Sequence, residues 1–216
     1  MDDPNLDPAV YAAVLDDLAR VNRVTLAARP TCGFLDRALD GRGTFRLLDV
    51  GFGAGDMLRR IDAWAKRTGR KAELVGIDLN PRSEAIARAR TSGAPIEYRT
   101  GDYVDLAGQG WDLIVSSLVA HHMTEAELLG FLRFMEVEAR VGWLVNDLHR
   151  HRFAHLGYPV LARLMRWHSI VRADGRLSIA RSFRPGEWQT LLSEAGVAGA
   201  RVFRSFPFRL CVERLR

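Results

Sequence analysis

Apolar positions in this chain fall into short solid runs separated by stretches with helical spacing. Phe45 to Val50, Glu73 to Asp78, Ile96 to Thr100, Trp111 to Ser117 and Val141 to Asp147 are too short for ordinary helices and too continuous for a half-exposed sheet. They predict strands buried on both faces. Between the first two runs, Met57, Leu58, Ile61, Trp64 and Ala65 put one apolar face on a helix from Asp56 to Arg67, stopped by Thr68-Gly69. A further helix starts at Pro81, and Thr124 with Glu127 three residues on forms a capping box for another. Strand alternating with helix predicts an α/β fold around a parallel sheet.

The flanks read differently. Val10, Val14, Leu18, Val21 and Leu26 predict a helix over residues 8–28, with Asp7 as N-cap and Pro8 at its first position. A second helix covers Thr31 to Leu39 and ends at Asp40-Gly41. After the fifth run, Phe153 to Val171 is too long for a minimal connection and predicts one or two inserted helices within residues 149–180. Its Leu, Met and aromatic residues suit the roof of a hydrophobic site, although ordinary core or a dimer face fits the same spacing. Arg184-Pro185-Gly186-Glu187-Trp188 opens a last helix, and strands Ala200 to Ser205 and Phe208 to Arg214 bracket Phe206-Pro207.

The chemistry concentrates at residues 47–56, Leu-Leu-Asp-Val-Gly-Phe-Gly-Ala-Gly-Asp. Alternating glycines let the backbone turn sharply and approach a ligand, and the helix that follows aims its free N–H groups at the strand ends. A pyrophosphate-binding turn places glycine at the sixth position, where this chain has Asp56. Asp49 and Asp56 would repel phosphates and suit a ligand with positive charge and hydroxyls. S-adenosylmethionine, with an ammonium and a sulfonium, fits. Asp78 ends the second strand at the same sheet edge, placed to accept hydrogen bonds from a ribose diol, with Leu79 beside it to pack on adenine.

Here the sequence resembles the class I S-adenosylmethionine-dependent methyltransferases, whose glycine motif is an acidic residue followed by G-x-G-x-G. The likeness runs on through Val75-Gly-Ile-Asp-Leu-Asn-Pro81, Gly101-Asp102-Tyr103 and Trp111-Asp-Leu-Ile-Val-Ser-Ser117, roughly residues 44 to 147. The resemblance implies a Rossmann-like, seven-stranded, mostly parallel sheet closed by an antiparallel C-terminal hairpin. It implies an N-terminal helical lid over residues 1–43 and a cofactor-binding domain over 44–216. The cofactor residues would be Asp49, Gly51, Phe52, Gly53, Gly55, Asp78, Leu79, Asp102, Tyr103 and Ser117, with S-adenosylhomocysteine as product. The resemblance further suggests a small acceptor of the phenolic, quinone or polyketide-derived kind, methylated on oxygen.

For the acceptor side, the polar residues after the fifth strand are the first choice. His149 is the expected base, with Asn146 and Asp147 orienting it or binding a substrate oxygen, and Asn22 and Arg23 reaching in from the lid. His121 and His122, at the mouth of the fourth strand, are the substitutes. No metal is expected, because adjacent histidines without further ligands do not make a site.

A chain of 216 residues, 48% hydrophobic, supports one main core. Met-Asp-Asp-Pro is no export signal and no apolar segment reaches membrane-spanning length, so a cytoplasmic protein, monomer or homodimer, is expected. Cys32 and Cys211 lack metal-ligand spacing and a disulfide is not expected. The net charge of +5 is uneven, acids prevailing up to Glu138 and arginines beyond it. No basic run interleaved with aromatics tracks a nucleic-acid backbone, and no nucleic-acid partner is expected. The alternatives are an RNA or protein methyltransferase, a nicotinamide oxidoreductase, which lacks a Tyr-x-x-x-Lys pair here, and a non-catalytic subunit on the same fold.

Overall fold

The strand runs pair into one sheet: β1 (Thr44–Val50), β2 (Lys71–Asp78), β3 (Ile96–Thr100), β4 (Leu113–Ser117), β5 (Gly142–Leu148), β6 (Arg201–Ser205) and β7 (Arg209–Leu215). This computed structural model describes residues 7–216, so Met1 to Pro4, read above for targeting, lie outside it. The order is β3-β2-β1-β4-β5-β7-β6, with β1 to β5 parallel and β7 antiparallel between β5 and β6. The fold is therefore the expected Rossmann-like α/β sheet with an antiparallel C-terminal hairpin. Strand order reverses between β1 and β4, which opens a crevice at their carboxyl ends.

Alternation along the strands builds two apolar layers. Leu48, Val50, Ile114 and Val145 face α5 (Glu125–Glu138) and α8 (Pro185–Ala195), while Leu47, Leu113 and Leu144 face α2 (Arg29–Ala38), α3 (Asp56–Arg67) and α4 (Pro81–Ala89). Both faces are covered, which is why the strands read as solid apolar runs. The capping box at the start of α5 forms as expected, Thr124 and Glu127 exchanging hydrogen bonds.

The first helix, α1 (Pro8–Val24), stops four residues short of the expected end. Asp7 accepts a hydrogen bond from the Val10 N–H at 3.3 Å, so the start is as expected. Leu26 takes a left-handed φ of 51°, breaking the helix, and α2 restarts with Pro30 in its first turn. The two N-terminal helices then go different ways. Phe34, Leu35 and Leu39 of α2 are buried in the sheet's core, whereas α1 packs Val14 against Ala162, Trp167 and Val171. These last residues belong to the inserted segment, which forms two helices, α6 (Arg152–Leu164) and α7 (Ser169–Arg181).

Among the described residues no helix is long and apolar enough to cross a membrane.

Candidate active site

A cavity of about 860 Å³ lies over the carboxyl ends of the parallel strands, walled by the loops after β1 to β5 and roofed by α1, α6 and α7. One side is the glycine bend. Gly51, Gly53 and Gly55 all have positive φ, at 78°, 55° and 75°. A Cβ on Gly51 would stand 2.3 Å from Val119, and one on Gly55 would stand 2.6 Å from the Tyr98 hydroxyl. Gly53 has nothing within 4 Å of that position, so there the backbone conformation alone calls for glycine, with space left for a ligand. Gly51→Ala should destabilise the protein by about 2 kcal/mol or more, from left-handed strain plus the clash. It should weaken cofactor binding too; thermal melting with and without cofactor reads both, and an unchanged melt would contradict the assignment.

Three carboxylates stand at this bend with different roles. Asp78 is half-buried and accepts hydrogen bonds from the N–H groups of Gly53 and Asn80, both at 2.8 Å, so it fixes the bend and keeps lone pairs for a ligand. Asp56, expected to turn phosphates away, is ion-paired to Arg59 on the next turn of α3. Asp49 is 1% exposed, and neither carboxylate oxygen has a hydrogen-bond partner among the described residues. Burial, with the Asp78 charge adding to it, pushes its pKa up to about 7. A buried acid without a donor is costly in isolation, and this one lies in the cavity wall.

The opposite wall comes from β4 and the turn after it. Ser117 presents a buried hydroxyl with no partner among the described residues, and Leu118 is held at a φ of 63°, strained for a residue with a Cβ. Asp102 is exposed and caps a short 3-10 turn through the Val104 N–H at 3.2 Å. Tyr103 is half-buried, packed on Phe131 and Phe134 with ring centroids 5.0 and 4.8 Å away. Phe52 is buried against Tyr98, and Leu79 is 75% exposed at the cavity edge. Nine of the ten residues expected to contact the cofactor line the cavity, Asp49, Gly51, Phe52, Gly53, Asp78, Leu79, Asp102, Tyr103 and Ser117, while Gly55 is outside its wall and supports the bend from behind as the N-cap of α3.

The acceptor residues separate. Asp147 is fully buried and accepts both the backbone N–H of His121, at 2.9 Å, and the His121 ring at Nδ1, at 2.7 Å. His121 lines the cavity and His122, exposed at its mouth, lies tilted against it with ring centroids 4.2 Å apart. Asn146, expected at the substrate, points to the other face of the sheet, as strand alternation requires of a neighbour of Asp147. Its amide donates to the Ala27 carbonyl at 2.7 Å and Thr31 Oγ1 at 3.1 Å, tying β5 to the turn between α1 and α2. Arg23 is exposed and is not part of the cavity wall, where Asn22 stands instead.

His149 is buried too, but the wall passes from Leu148 to Phe153 without it. The chain after β5 bridges to Phe183 and donates the His149 N–H to the Phe208 carbonyl at 3.0 Å, which sets the ring against His151, 5.3 Å between centroids. Burial, with Arg204, His151 and Arg184 adding to it, lowers its pKa, but no part of the ring reaches the cavity wall. His149→Ala should therefore leave turnover within about threefold of the parent, an effect below the hundredfold or more expected of a base. A larger loss in initial-rate assays would return His149 to the mechanism.

One wall residue escaped the sequence reading. Arg209, at the start of β7, is 2% exposed, with Nη2 3.3 Å from Thr25 Oγ1 and Nη1 without a partner among the described residues. Burial lowers its pKa and the charge of Asp147 opposes that. An arginine inside the apolar strand Arg209-Leu-Cys-Val was the available signal.

Residues 47–137 match the family described as a methyltransferase domain. No protein of curated function matches the chain by sequence. Among solved structures, the chain is similar to magnesium protoporphyrin IX methyltransferase from Synechocystis PCC 6803 with bound SAH, at 17% identity and a TM-score of 0.61, over 91% of this chain and 84% of that one. It is similar to the plantazolicin methyltransferase BpumL in complex with a triazolic desmethylPZN analog and SAH, at 15% identity and a TM-score of 0.70, over 90% and 87%. Human N-acetylserotonin methyltransferase in complex with SAM gives 17% identity and a TM-score of 0.63, over 92% of this chain and 53% of that one, so the chain spans about half of that structure. The fold is that of the class I, S-adenosylmethionine-dependent methyltransferases. Within it, residues 47–137 are the part that matches the methyltransferase domain family.

Proposed function

We propose that the protein transfers the methyl group of S-adenosylmethionine to a hydroxyl oxygen of a small hydrophobic acceptor, with His121 as base and Asp147 as its positioning residue. The observation that carries this reading is the buried His121–Asp147 pair in the wall of a cavity whose roof is apolar, supplied by Leu15, Leu18, Leu161 and Ile179. The orphaned Asp49 carboxylate and the open face of Gly53 fit the cofactor: Asp49 takes its positive end, and Asp78 the ribose hydroxyls.

When bound, the cofactor supplies an electrophilic methyl carbon on a positively charged sulfur. The acceptor oxygen forms the new bond to that carbon while the carbon–sulfur bond breaks and its electron pair stays on sulfur, giving S-adenosylhomocysteine. Asp147, an acceptor on both oxygens, holds the proton of His121 on Nδ1, which leaves Nε2 as the basic end for the acceptor's O–H. Orientation within a dry cavity is the larger part of the rate, roughly 7 to 11 kcal/mol where reactants are well aligned, with the base adding about 10² to 10⁴-fold.

The test is a screen of hydroxylated aromatic and polyketide-like compounds for release of S-adenosylhomocysteine, with the product's methylated atom fixed by mass spectrometry. O-methylation of an apolar phenol or enol is expected. Methyl transfer only to nitrogen, or only to RNA or protein, would overturn the acceptor reading.

A further inference from the structure

We infer that the roof of the cavity, α6 and α7, is a docking face for an anionic lipid bilayer. Helix α6 has three faces. Ala154, Gly157, Tyr158 and Leu161 turn to the cavity, and Ala162 is buried with α1 and Trp167. The third face is an exposed apolar stripe, Phe153, Leu156, Val160 and Leu164, exposed by 72%, 67%, 59% and 75%. At 3.6 residues per turn these positions fall in one narrow band along the helix, and Arg152 and Arg163 run along the band's other edge. Met165, just past α6, and Leu177 of α7 are exposed as well, and Phe206, 72% exposed, stands at the β6–β7 turn.

Charge selects the occupant. Residues 152–181 contain six arginines and one aspartate, so this segment alone carries a charge equal to the whole chain's +5. All six arginines are exposed, and among the described residues none is in an ion pair with a carboxylate. A second copy of this chain, docked by a two-fold axis on the same face, would set six arginines against six. A nucleic acid would match the charge and leave the leucines in water. An anionic bilayer meets both requirements: the stripe enters the headgroup boundary and the arginines reach the phosphates. Phe153 belongs at once to the stripe and to the cavity wall, so the docked face sets the cavity mouth against the membrane. The inference does not depend on which acceptor atom is methylated.

The test is sedimentation of the full chain with vesicles of phosphatidylcholine alone or mixed equally with phosphatidylglycerol, at low and high salt. Binding to the mixed vesicles is expected, falling steeply with salt and at least tenfold weaker on phosphatidylcholine. Leu156→Ser with Leu164→Ser should weaken it roughly tenfold or more, and Arg163→Glu with Arg172→Glu likewise. Unchanged melting and cofactor binding in both variants would show that they fold. No binding to the mixed vesicles, binding that survives the leucine changes, or concentration-dependent dimerisation abolished by those changes would each overturn the inference.

Discussion

His121→Ala is expected to lower kcat for a hydroxyl acceptor by about 10² to 10⁴-fold while cofactor affinity changes by less than about threefold. The side chain is held by Asp147 at 2.7 Å and stands in the cavity wall, so its removal takes away a proton acceptor and leaves the glycine bend untouched. Asp147→Asn should fall in the same range. An amide in place of the carboxylate allows Nδ1 to lose its proton to Nε2, which turns the basic nitrogen away from the acceptor. Asp147→Ala is the harsher change, because the Leu148 N–H, at 2.6 Å, and the His121 N–H lose their acceptor together. The readout that separates chemistry from mere structure is the leaving proton. An acceptor already ionised at the assay pH needs no base, so the variants should recover most of their rate on it. Equal losses on ionised and protonated acceptors would mean that His121 does not take the proton.

The second large effect concerns Asp49, and its sign changes with the ligand. With a pKa raised from the ordinary 3.8 to about 7, the folded apo-protein holds a proton there that the unfolded chain has already released above pH 4. The folded state thus binds more protons than the unfolded one between about pH 4 and 7, and stability falls as pH rises through that window. Full ionisation at pH 8 costs on the order of 4 kcal/mol. Asp49→Asn removes the charge and should restore about half of this, raising the apo melting temperature at pH 8 by roughly 4 to 8 °C. The same change should weaken cofactor binding about tenfold or more, because a charge-assisted partner is gone. A variant more stable without ligand and less able to bind it is the expected signature. Melting curves at pH 5 and 8, with and without cofactor, check it; a destabilised apo variant at pH 8 would contradict it.

How far the sequence carries depends on whether a residue's role is set locally. The buried strands, the glycine bend and the capping box of α5 are each written in a few consecutive residues, and all formed where the pattern put them. The placement of Asp49 and Asp78 was legible for the same reason: Asp78 ends β2, Asp49 is next to last in β1, and the carboxyl ends of a parallel sheet share one edge. The acceptor side was not local. Asn146, Asp147 and His149 lie within four positions of the chain, yet one ties down α2's approach, one holds His121 and one packs beside His151. What separates them is strand alternation and the partners waiting on each face, Thr31 on one and His121 on the other. Arg209 and Thr25, 184 positions apart, meet only because β7 inserts between β5 and β6. The inserted segment was read as a roof from its length and apolar content; its spacing fitted core or a dimer face equally, because periodicity does not say what covers an apolar face, and Phe153, Leu156, Val160 and Leu164 point outward.

The central claim is that a buried, undercompensated carboxylate beside the glycine bend receives the positive end of S-adenosylmethionine. Calorimetric titration of the chain with that compound near pH 7, in two buffers of different ionisation heat, tests it most directly. Binding should release a proton, because a cation arriving at Asp49 pulls its pKa down from about 7 and empties the fraction still protonated. Heat of binding that is the same in both buffers, or no heat at all, would contradict it.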